Sequence, residues 1–442
     1  MIPFLKSRLD RARDSALARN SGWMFLGYGL KVIVQAGYFV LIARALGPGE
    51  YGAFVGVTAL ISILAPFSGF GMGHLLVKNV ARDKKLFPVY WGNSLFTSVI
   101  SGLMLVVVVL GIARLVLPAS IGLPLIFLIC LSDLVFVKGS DIGAQAFQAV
   151  DQLQFTAKWN VLPNLLRLIG AAIVFLVWGR TTAMTWAWFY LGSTVISSAI
   201  TVVFTTARLG APKLALSQIP KDLKEGFYFG AGLSAQTIYN DIDKTMLARL
   251  STLDATGIYA AAYRLIDVSF TPVRAVLNAA YANFFRHGQN GINASVKYGK
   301  HLLVKMIGYS VLAFLVLYFA APVIPYFLGA EYARTVEALR WLSVLPILKT
   351  IHYFFADALT GAGYQGFRTV AQTLVAAINV ALNLWLMPVY SWRGAAWASI
   401  ASDGLLIVAI YTAILVVRHQ SGPAPNPAAA RFTLGEVPDA AE

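Results

Sequence analysis

The sequence predicts an all-α, multi-pass membrane protein of about 12 transmembrane helices in two six-helix lobes related by pseudo-two-fold symmetry. Three observations support this fold. The 442-residue chain is 58% hydrophobic and only 12% charged, which leaves too little polar surface to coat a soluble protein of this length. It contains about twelve apolar runs of roughly 20 residues, the length that crosses a bilayer. Two windows, residues 41–61 and 246–266, also align without a gap.

The apolar runs define the predicted helices in order. Stretches such as Leu103 to Leu110 and Ile307 to Ala321 carry no charge, as expected of segments that lie in lipid. Their length and their lack of alternating polarity exclude membrane-spanning strands. The predicted spans are residues 22–43, 51–76, 90–112, 121–147, 159–179, 183–206, 226–247, 256–283, 303–323, 337–360, 368–388 and 393–417.

The two aligned windows indicate an internal repeat. They share identical residues at equivalent points of the hydropathy pattern, including Ala43 with Ala248 and Gly52 with Gly257. Six spans is an even number, so the two halves should enter the membrane in the same orientation, as in parallel transporter repeats. The predicted division is a basic amphipathic segment (1–20), an N-lobe (21–206), a cytoplasmic linker (207–225), a C-lobe (226–418) and a disordered cytoplasmic tail (419–442).

The net charge is +15, and the distribution of the basic residues along the chain indicates the membrane topology. With the amino terminus in the cytoplasm, about three times as many basic residues fall on the cytoplasmic side as on the other, in agreement with the positive-inside rule. Both termini are therefore predicted to be cytoplasmic, and no nucleic-acid partner is expected. The lone cysteine, Cys130, can form no intramolecular disulfide, and no metal or cofactor is predicted.

Polar residues recur at helical spacing within several spans, which predicts a hydrated interior lined by selected helices. In the fourth span Lys138, Asp141, Gln145 and Gln148 follow the i, i+3, i+7, i+10 spacing of one helix face. Lysine and arginine donate charge-assisted hydrogen bonds to phosphate oxygens, so a basic interior suits a multiply charged anion. The candidate residues for binding a pyrophosphate or sugar are Lys31, Gln35, Lys138, Arg167, Arg264, Arg274 and Lys349.

Acidic residues within the spans are candidates for coupling or gating. They are Asp141, Asp243, Asp267 and Asp357. Asp243 and Arg264 fall near the outer ends of adjacent spans and could pair as an outer gate. Pairs spaced i, i+3, such as Lys138 with Asp141, could instead neutralise each other and hold helices together.

Short motifs at the repeated window resemble a known family. They are Leu46-Gly47-Pro48-Gly49-Glu50-Tyr51-Gly52, Asp243-Lys244, Gly257-Ile258-Tyr259-Ala260-Ala261-Ala262-Tyr263-Arg264-Leu265 and Leu328-Gly329-Ala330-Glu331-Tyr332. The chain resembles the polysaccharide transporters, or Wzx-type oligosaccharide flippases, of the multidrug/oligosaccharidyl-lipid/polysaccharide exporter superfamily. The resemblance implies a V-shaped two-lobed bundle with basic residues of the first, seventh and eighth spans in its cavity, here Lys31, Arg264 and Arg274. The related lipid II flippases carry two further helices.

The function expected from this resemblance is transport without catalysis. The protein would flip a polyprenyl-pyrophosphate-linked oligosaccharide across the bacterial inner membrane for surface polysaccharide assembly, with membrane lipids and polysaccharide assembly proteins as partners. One alternative is an organic cation antiporter of the multidrug branch, which a basic cavity disfavours. Another is a polysaccharide polymerase or ligase, which would need catalytic groups on longer outer loops.

Overall fold

The protein is built from α-helices, and no strand occurs among residues 2–420. The structure is a computed structural model that describes the backbone of these residues. Side chains are described at 23, 26, 27 and 29–419, except at 221, 222, 224–233, 235, 236 and 239.

The helices are α1 (Ile2–Leu64), α2 (Met72–Val80), α3 (Phe87–Val116), α4 (Leu123–Cys130), α5 (Val137–Ala149), α6 (Leu153–Trp178), α7 (Ala183–Leu209), α8 (Ile219–Leu250), α9 (Leu253–Gly288), α10 (Ile292–Ala320), α11 (Ile324–Leu328), α12 (Ala333–Leu342), α13 (Leu345–Gly361), α14 (Gln365–Tyr390) and α15 (Trp392–Gln420).

Helix α1 contains the first predicted span and residues 51–64 of the second, which meet at a kink; the second span was predicted to reach residue 76, but the α-helix ends at Leu64 and α2 begins at Met72. Gly47 has non-helical angles of φ 69° and ψ 171°, and Pro48 follows it. A positive φ is accessible to glycine without the clash that a Cβ atom would cause, and proline supplies no backbone N–H to the helix before it. This Gly-Pro pair therefore separates the two spans where the sequence predicted a boundary.

The fourth predicted span, residues 121–147, is interrupted. Between α4 and α5 the chain forms a π-helix over Leu131–Phe136. A π-helix takes more residues per turn than an α-helix and often occurs at functional sites. Residues before and after it therefore do not follow one continuous 3.6-residue pattern.

Among the described residues, eight helices are long and apolar enough to cross a membrane, and a ninth is formed if the bent pair α12–α13 counts as one span. One of the eight, Gly29–Phe67, includes residues 29–43 of the first predicted span and residues 51–67 of the second. Helix α9 is not among them, since Arg264 and Asp267 interrupt its apolar centre. The number twelve and the cytoplasmic location of both termini remain predictions. The predicted tail lies outside the described residues from 421 onward, and the side chains of the amphipathic segment lie outside them as well.

The chain folds into two compact units, and the six-plus-six division into lobes remains a prediction. The first unit comprises Met1–Val268, Phe319–Trp341 and Val380–Ala398, and the second comprises Ser269–Tyr318, Leu342–Asn379 and Ser399–Glu442. The predicted linker is shorter than expected, because α7 continues to Leu209 and α8 begins at Ile219.

Within the first unit, the two aligned windows pack directly against each other. A Cβ atom on Gly52 would overlap the carbonyl oxygen of Leu253, and one on Gly257 would overlap that of Pro48. One turn further along, a Cβ atom on Gly56 would lie 2.9 Å from the Cβ of Ala248. Small residues let two helices approach this closely within a membrane. The repeated glycines thus form a crossing, here called the glycine crossing (Gly52 and Gly257).

In the second unit, buried polar side chains link the helices. Asn379 donates to Ser402 across 2.9 Å, and Ser295 donates to the carbonyl oxygen of Ala358 across 2.8 Å. His352 and Asp403, both buried, lie 3.3 Å apart. Hydrogen bonds of this kind hold membrane helices together where lipid offers no alternative partner.

Replacing Gly257 by alanine should lower the melting temperature of the purified protein, because the added methyl group would strike the Pro48 backbone. Overpacking of this kind costs about 1–3 kcal/mol. Gly192→Ala is the matched control, since no atom lies within 4 Å of its Cβ position, and it should leave the melting temperature unchanged or raise it. Thermal unfolding in detergent, followed by tryptophan fluorescence, measures both. Equal melting temperatures for the two variants would contradict a packing role for the glycine crossing.

Candidate functional site

A cavity of about 330 Å³, here called the central cavity, lies in the first unit between α1, α6, α7, α8, α9 and the π-helix. Its wall combines polar, aromatic and charged side chains, an unusual lining for the interior of an apolar bundle. The residues that matter for its chemistry are Gln35, Tyr38, Asp133, Asn164, Arg167, Tyr190, Asp241, Lys244, Arg264 and Asp267.

Arg167 forms an ion pair in this wall and is not a free cation. Its Nη2 lies 3.3 Å from Asp133 Oδ1, with side-chain exposures of 15% and 19% for the two residues. The hydroxyl of Tyr190 donates to both oxygens of the same carboxylate, at 2.8 and 3.1 Å. The guanidinium also stacks over the Tyr190 ring at 4.1 Å. Asp133, Arg167 and Tyr190 therefore form a closed cluster that neutralises one predicted binding residue.

A second paired cluster lies on α8 and the neighbouring part of α9. Lys244 Nζ lies 2.6 Å from Asp241 and 3.9 Å from Asp243, and it sits 4.2 Å from the centre of the Tyr263 ring. Asp243 accepts a hydrogen bond from the hydroxyl of Tyr259. The predicted pairing of Asp243 with Arg264 is therefore wrong. Lys244 follows Asp243 directly in the chain and lies closer to it.

Lys31 and Arg264 are the cations of this region that remain without an ion pair among the described residues. Arg264 lines the central cavity, and Lys31 on α1 is close enough to Arg167, Arg264 and Asp141 for their charges to act on it. Next to them, the amide of Gln35 donates to Asn164 Oδ1 across 3.0 Å. The region thus offers two available cations beside a pair of amides.

The wall of the central cavity is balanced in formal charge. It contains three carboxylates, from Asp133, Asp241 and Asp267, and three cations, from Arg167, Lys244 and Arg264. The sequence predicted a basic surplus here, and within the cavity wall that surplus is absent. Lys31 does not line this cavity; it lies on α1, one helical turn before the wall residue Gln35, and is a further cation of this part of the helix.

Lys138 and Asp141 belong to a different cavity of the first unit, of about 290 Å³. This amide cavity also contains the side chains of Gln145, Gln148 and Asn160. The predicted stripe along α5 is therefore confirmed as one wall, and Lys138 lies 4.0 Å from Asp141 in the i, i+3 pair considered above. Packing of Ile142 and Ala146 against Trp91 in a buried cluster keeps the opposite face of α5 away from this cavity.

Three predicted residues belong to the second unit. Arg274 is exposed, with its guanidinium 5.7 Å from the Phe270 ring, whereas Lys349 is 5% exposed. Asp357 accepts a hydrogen bond of 2.8 Å from Arg368. Arg368 neutralises this carboxylate, as expected for an ion pair that holds two helices together.

A third cavity of the first unit, of about 1300 Å³ and here called the loop cavity, is lined by residues 46–50 of the first family motif, with Ile258 and Glu331 from two other motifs. The carboxylate of Glu50 accepts a hydrogen bond of 2.6 Å from the backbone N–H of Ala183, at the amino terminus of α7. Arg180 forms an ion pair with Glu331. The hydrogen bond that the Arg180 guanidinium donates to Glu331 raises the pKa of Arg180, so the guanidinium remains charged.

The sequence analysis overlooked Asp133, Tyr190 and Asp241. Asp133 lies five residues before Lys138, outside the i, i+3, i+7 stripe, because the π-helix alters the residue count per turn. Tyr190 lies in the predicted span 183–206, which contains no charged residue, so no candidate was predicted there. An unexplained aspartate in an otherwise apolar run was the one signal that could have identified Asp133.

Polar cavities enclosed by apolar helices define a multi-pass membrane protein with the architecture of a transporter. A family model described as polysaccharide biosynthesis protein matches residues 17–271. The chain therefore belongs to the polysaccharide biosynthesis protein family. No curated protein sequence matches it significantly.

Solved structures share the fold at low sequence identity. A multidrug resistance MATE family transporter of the MOP superfamily, in an inward-facing conformation, matches with a TM-score of 0.71 at 15% identity, over 88% of this chain and 96% of that chain. The lipid II flippase MurJ, in an inward closed conformation, matches with 0.69 at 13%, over 88% and 87%. A MOP superfamily transporter from Pyrococcus furiosus Vc1 matches with 0.62 at 15%, over 91% and 96%. The fold is that of MOP superfamily transporters.

The pairing of Asp133 with Arg167 predicts non-additive effects on stability. Arg167→Met alone should lower the melting temperature strongly, because it leaves a buried carboxylate without its cation, a loss of about 3–5 kcal/mol. The double variant Asp133→Leu/Arg167→Met should recover much of that loss, since no buried charge remains. Thermal unfolding of four proteins, the wild type, Arg167→Met, Asp133→Leu and the double variant, completes the cycle. Additive losses in the double variant would show that the two side chains act independently.

Proposed function

We propose that the protein is a flippase that carries a polyprenyl-pyrophosphate-linked oligosaccharide from the cytoplasmic to the outer leaflet of the bacterial inner membrane. The product would enter surface polysaccharide assembly. Membership in the polysaccharide biosynthesis family supports the glycan part of this proposal. The transporter fold, shared with a lipid II flippase among others, supports movement of a substrate without chemical change.

The availability of Lys31 and Arg264 carries the proposal. Arg167, Lys244 and Lys138 each have a carboxylate partner, whereas Lys31 and Arg264 have no ion pair among the described residues. A pyrophosphate brings charged oxygens that two such cations can bind without displacing an existing ion pair. Charge-assisted hydrogen bonds of this kind are about twice as strong as neutral ones.

The paired clusters suit a supporting role. Asp133 and Tyr190 fix the guanidinium of Arg167 on one side of the central cavity, while Asp241 and Asp243 surround Lys244 on the other. Fixed pairs keep the wall polar and hydrated without adding net charge, so the substrate meets a small number of free cations. Binding can then remain weak enough for release on the opposite side, which alternating access requires.

We place Asp267 and Asp141 in coupling or gating roles. Asp267 lines the central cavity beside Arg264, and Asp141 is half exposed in the amide cavity, where its charge acts on Lys31. Protonation of either carboxylate would increase the positive charge near Lys31 and Arg264. A proton could therefore change the affinity of these cations for an anionic head group.

An organic cation antiporter is the second candidate, and Asp241 and Asp267 in the wall favour it. A cation could approach these carboxylates, which share the wall with Arg167, Lys244 and Arg264. Efflux of ethidium from cells that overproduce the protein would support this alternative. The flippase proposal expects no such efflux.

The test is flipping of a fluorescently labelled polyprenyl-pyrophosphate oligosaccharide in vesicles that contain the purified protein, followed with a membrane-impermeant quencher. Lys31→Gln and Arg264→Gln should each lower the initial rate at least tenfold, as expected for loss of a hydrogen bond to a charged group worth about 1.5–3 kcal/mol. Arg249→Gln, at an exposed arginine, should leave the rate unchanged. A wild-type rate no faster than that of empty vesicles would overturn the proposal.

A further inference from the structure

The amide cavity has the composition of a binding site for a neutral, hydroxyl-rich ligand. Its wall includes the carboxamides of Gln145, Gln148 and Asn160 and the hydroxyl of Ser98. Carboxamides both donate and accept hydrogen bonds, as sugar hydroxyls do. Its volume, about 290 Å³, lies at the lower end of the range for small-molecule sites, about 300–1,000 Å³, and suits one or two sugar rings.

Three of these polar side chains have no hydrogen-bond partner among the described residues. The hydroxyl oxygen of Ser98 is buried, the residue being 3% exposed, and it makes no hydrogen bond there. The side chains of Gln145 and Gln148 likewise make no hydrogen bond to any described residue. An unsatisfied buried hydroxyl is unfavourable, and a hydrogen bond to a ligand hydroxyl within the cavity would satisfy it.

The backbone makes room for these amides. The carboxamide oxygen of Gln145 occupies the space that a Cβ atom would take at Gly73, so a larger residue at this position would displace it. The Ser98 hydroxyl is brought against Gly69 in the same way. Glycines at both positions therefore keep two hydrogen-bonding groups at the cavity wall.

The charges of this cavity disfavour an anion. Lys138 lies 4.0 Å from Asp141, whose side chain is 50% exposed. The carboxylate offsets the ammonium group and would repel a phosphate that approached it. Neutral hydroxyls can accept from the ammonium group and donate to the carboxylate at the same time.

The amide cavity adjoins the region of the free cations. Asn160 lines the amide cavity and Asn164, one helical turn later on α6, lines the central cavity. The Asn164 amide donates to the Asn160 carbonyl oxygen across 3.2 Å, and four residues of helix span about 6 Å. Asp141 of the amide cavity and Arg264 of the central cavity both interact electrostatically with Lys31.

We propose that the amide cavity binds neutral sugar rings of the lipid-linked oligosaccharide through Ser98, Gln145, Gln148 and Asn160, while Lys31 and Arg264 hold the pyrophosphate. This assignment rests on the proposed function. It divides recognition of one substrate between a glycan subsite and an anion subsite. The glycan subsite selects the sugar, and the anion subsite is shared by every substrate of this chemical class.

Saturation-transfer NMR on the full-length protein in nanodiscs tests the glycan subsite. The probes are the methyl glycosides of glucose, galactose and N-acetylglucosamine, with methyl glucuronide as the acidic counterpart. At least one neutral glycoside should give a signal with the wild-type protein. The variant Ser98→Ala/Gln145→Met should reduce that signal at least fivefold, while Gln372→Met, an amide in the second unit, should not change it. Gln148→Met replaces the double variant if the latter aggregates.

Inorganic pyrophosphate, measured by titration calorimetry, separates this inference from the proposed function. The Ser98→Ala/Gln145→Met variant should bind pyrophosphate like the wild type, and Arg264→Gln should bind it at least tenfold more weakly. Absence of signal from all neutral glycosides, or an unchanged signal in the double variant, overturns the glycan subsite. Failure of the wild-type protein to bind pyrophosphate counts instead against the anion subsite and the flippase proposal.

Discussion

Ionised groups inside an apolar bundle must be paired or must face water, and the arrangement of the first unit follows from that constraint. Arg167 is held by Asp133 and Tyr190, and Lys244 by its neighbouring carboxylates. These clusters use most of the buried charge to maintain a polar wall. Lys31 and Arg264 remain available because no carboxylate of the described residues is within ion-pair distance of them. Whether a basic side chain can bind a ligand therefore depends on whether a carboxylate already pairs with it, and the number of basic residues does not show this.

The scaffold depends on close approach of helices. The glycine crossing brings the two aligned windows together with almost no side-chain volume between them, and Glu50 ties the first window to the amino terminus of α7. Both features lie in the motifs that carry the family resemblance. These motif positions therefore serve helix packing and helix termination, whereas Lys244 and Arg264 of the same set of motifs line the central cavity.

Two neighbouring cavities of different chemistry suit a substrate with two chemically different parts. The central cavity has fixed ion pairs and free cations, and the amide cavity has unpartnered amides with an internally neutralised pair. A lipid-linked glycan has an anionic link and a neutral, hydroxyl-rich chain. Helix α6 contributes to both walls through Asn160 and Asn164, so a small movement of this one helix would alter both cavities together.

The sequence by itself determined the all-helical membrane class, the order of the apolar segments and the polar stripe on α5, because composition and helical periodicity are local properties of the chain. It also identified three of the six charged residues in the wall of the central cavity, and both members of the Lys138–Asp141 pair in the amide cavity. Only the tertiary structure decided which charges are paired. Asp133 and Tyr190, the partners of Arg167, come from other segments of the chain, and a π-helix removed Asp133 from the periodic pattern. Pairing depends on distances between segments far apart in sequence, which no local pattern encodes.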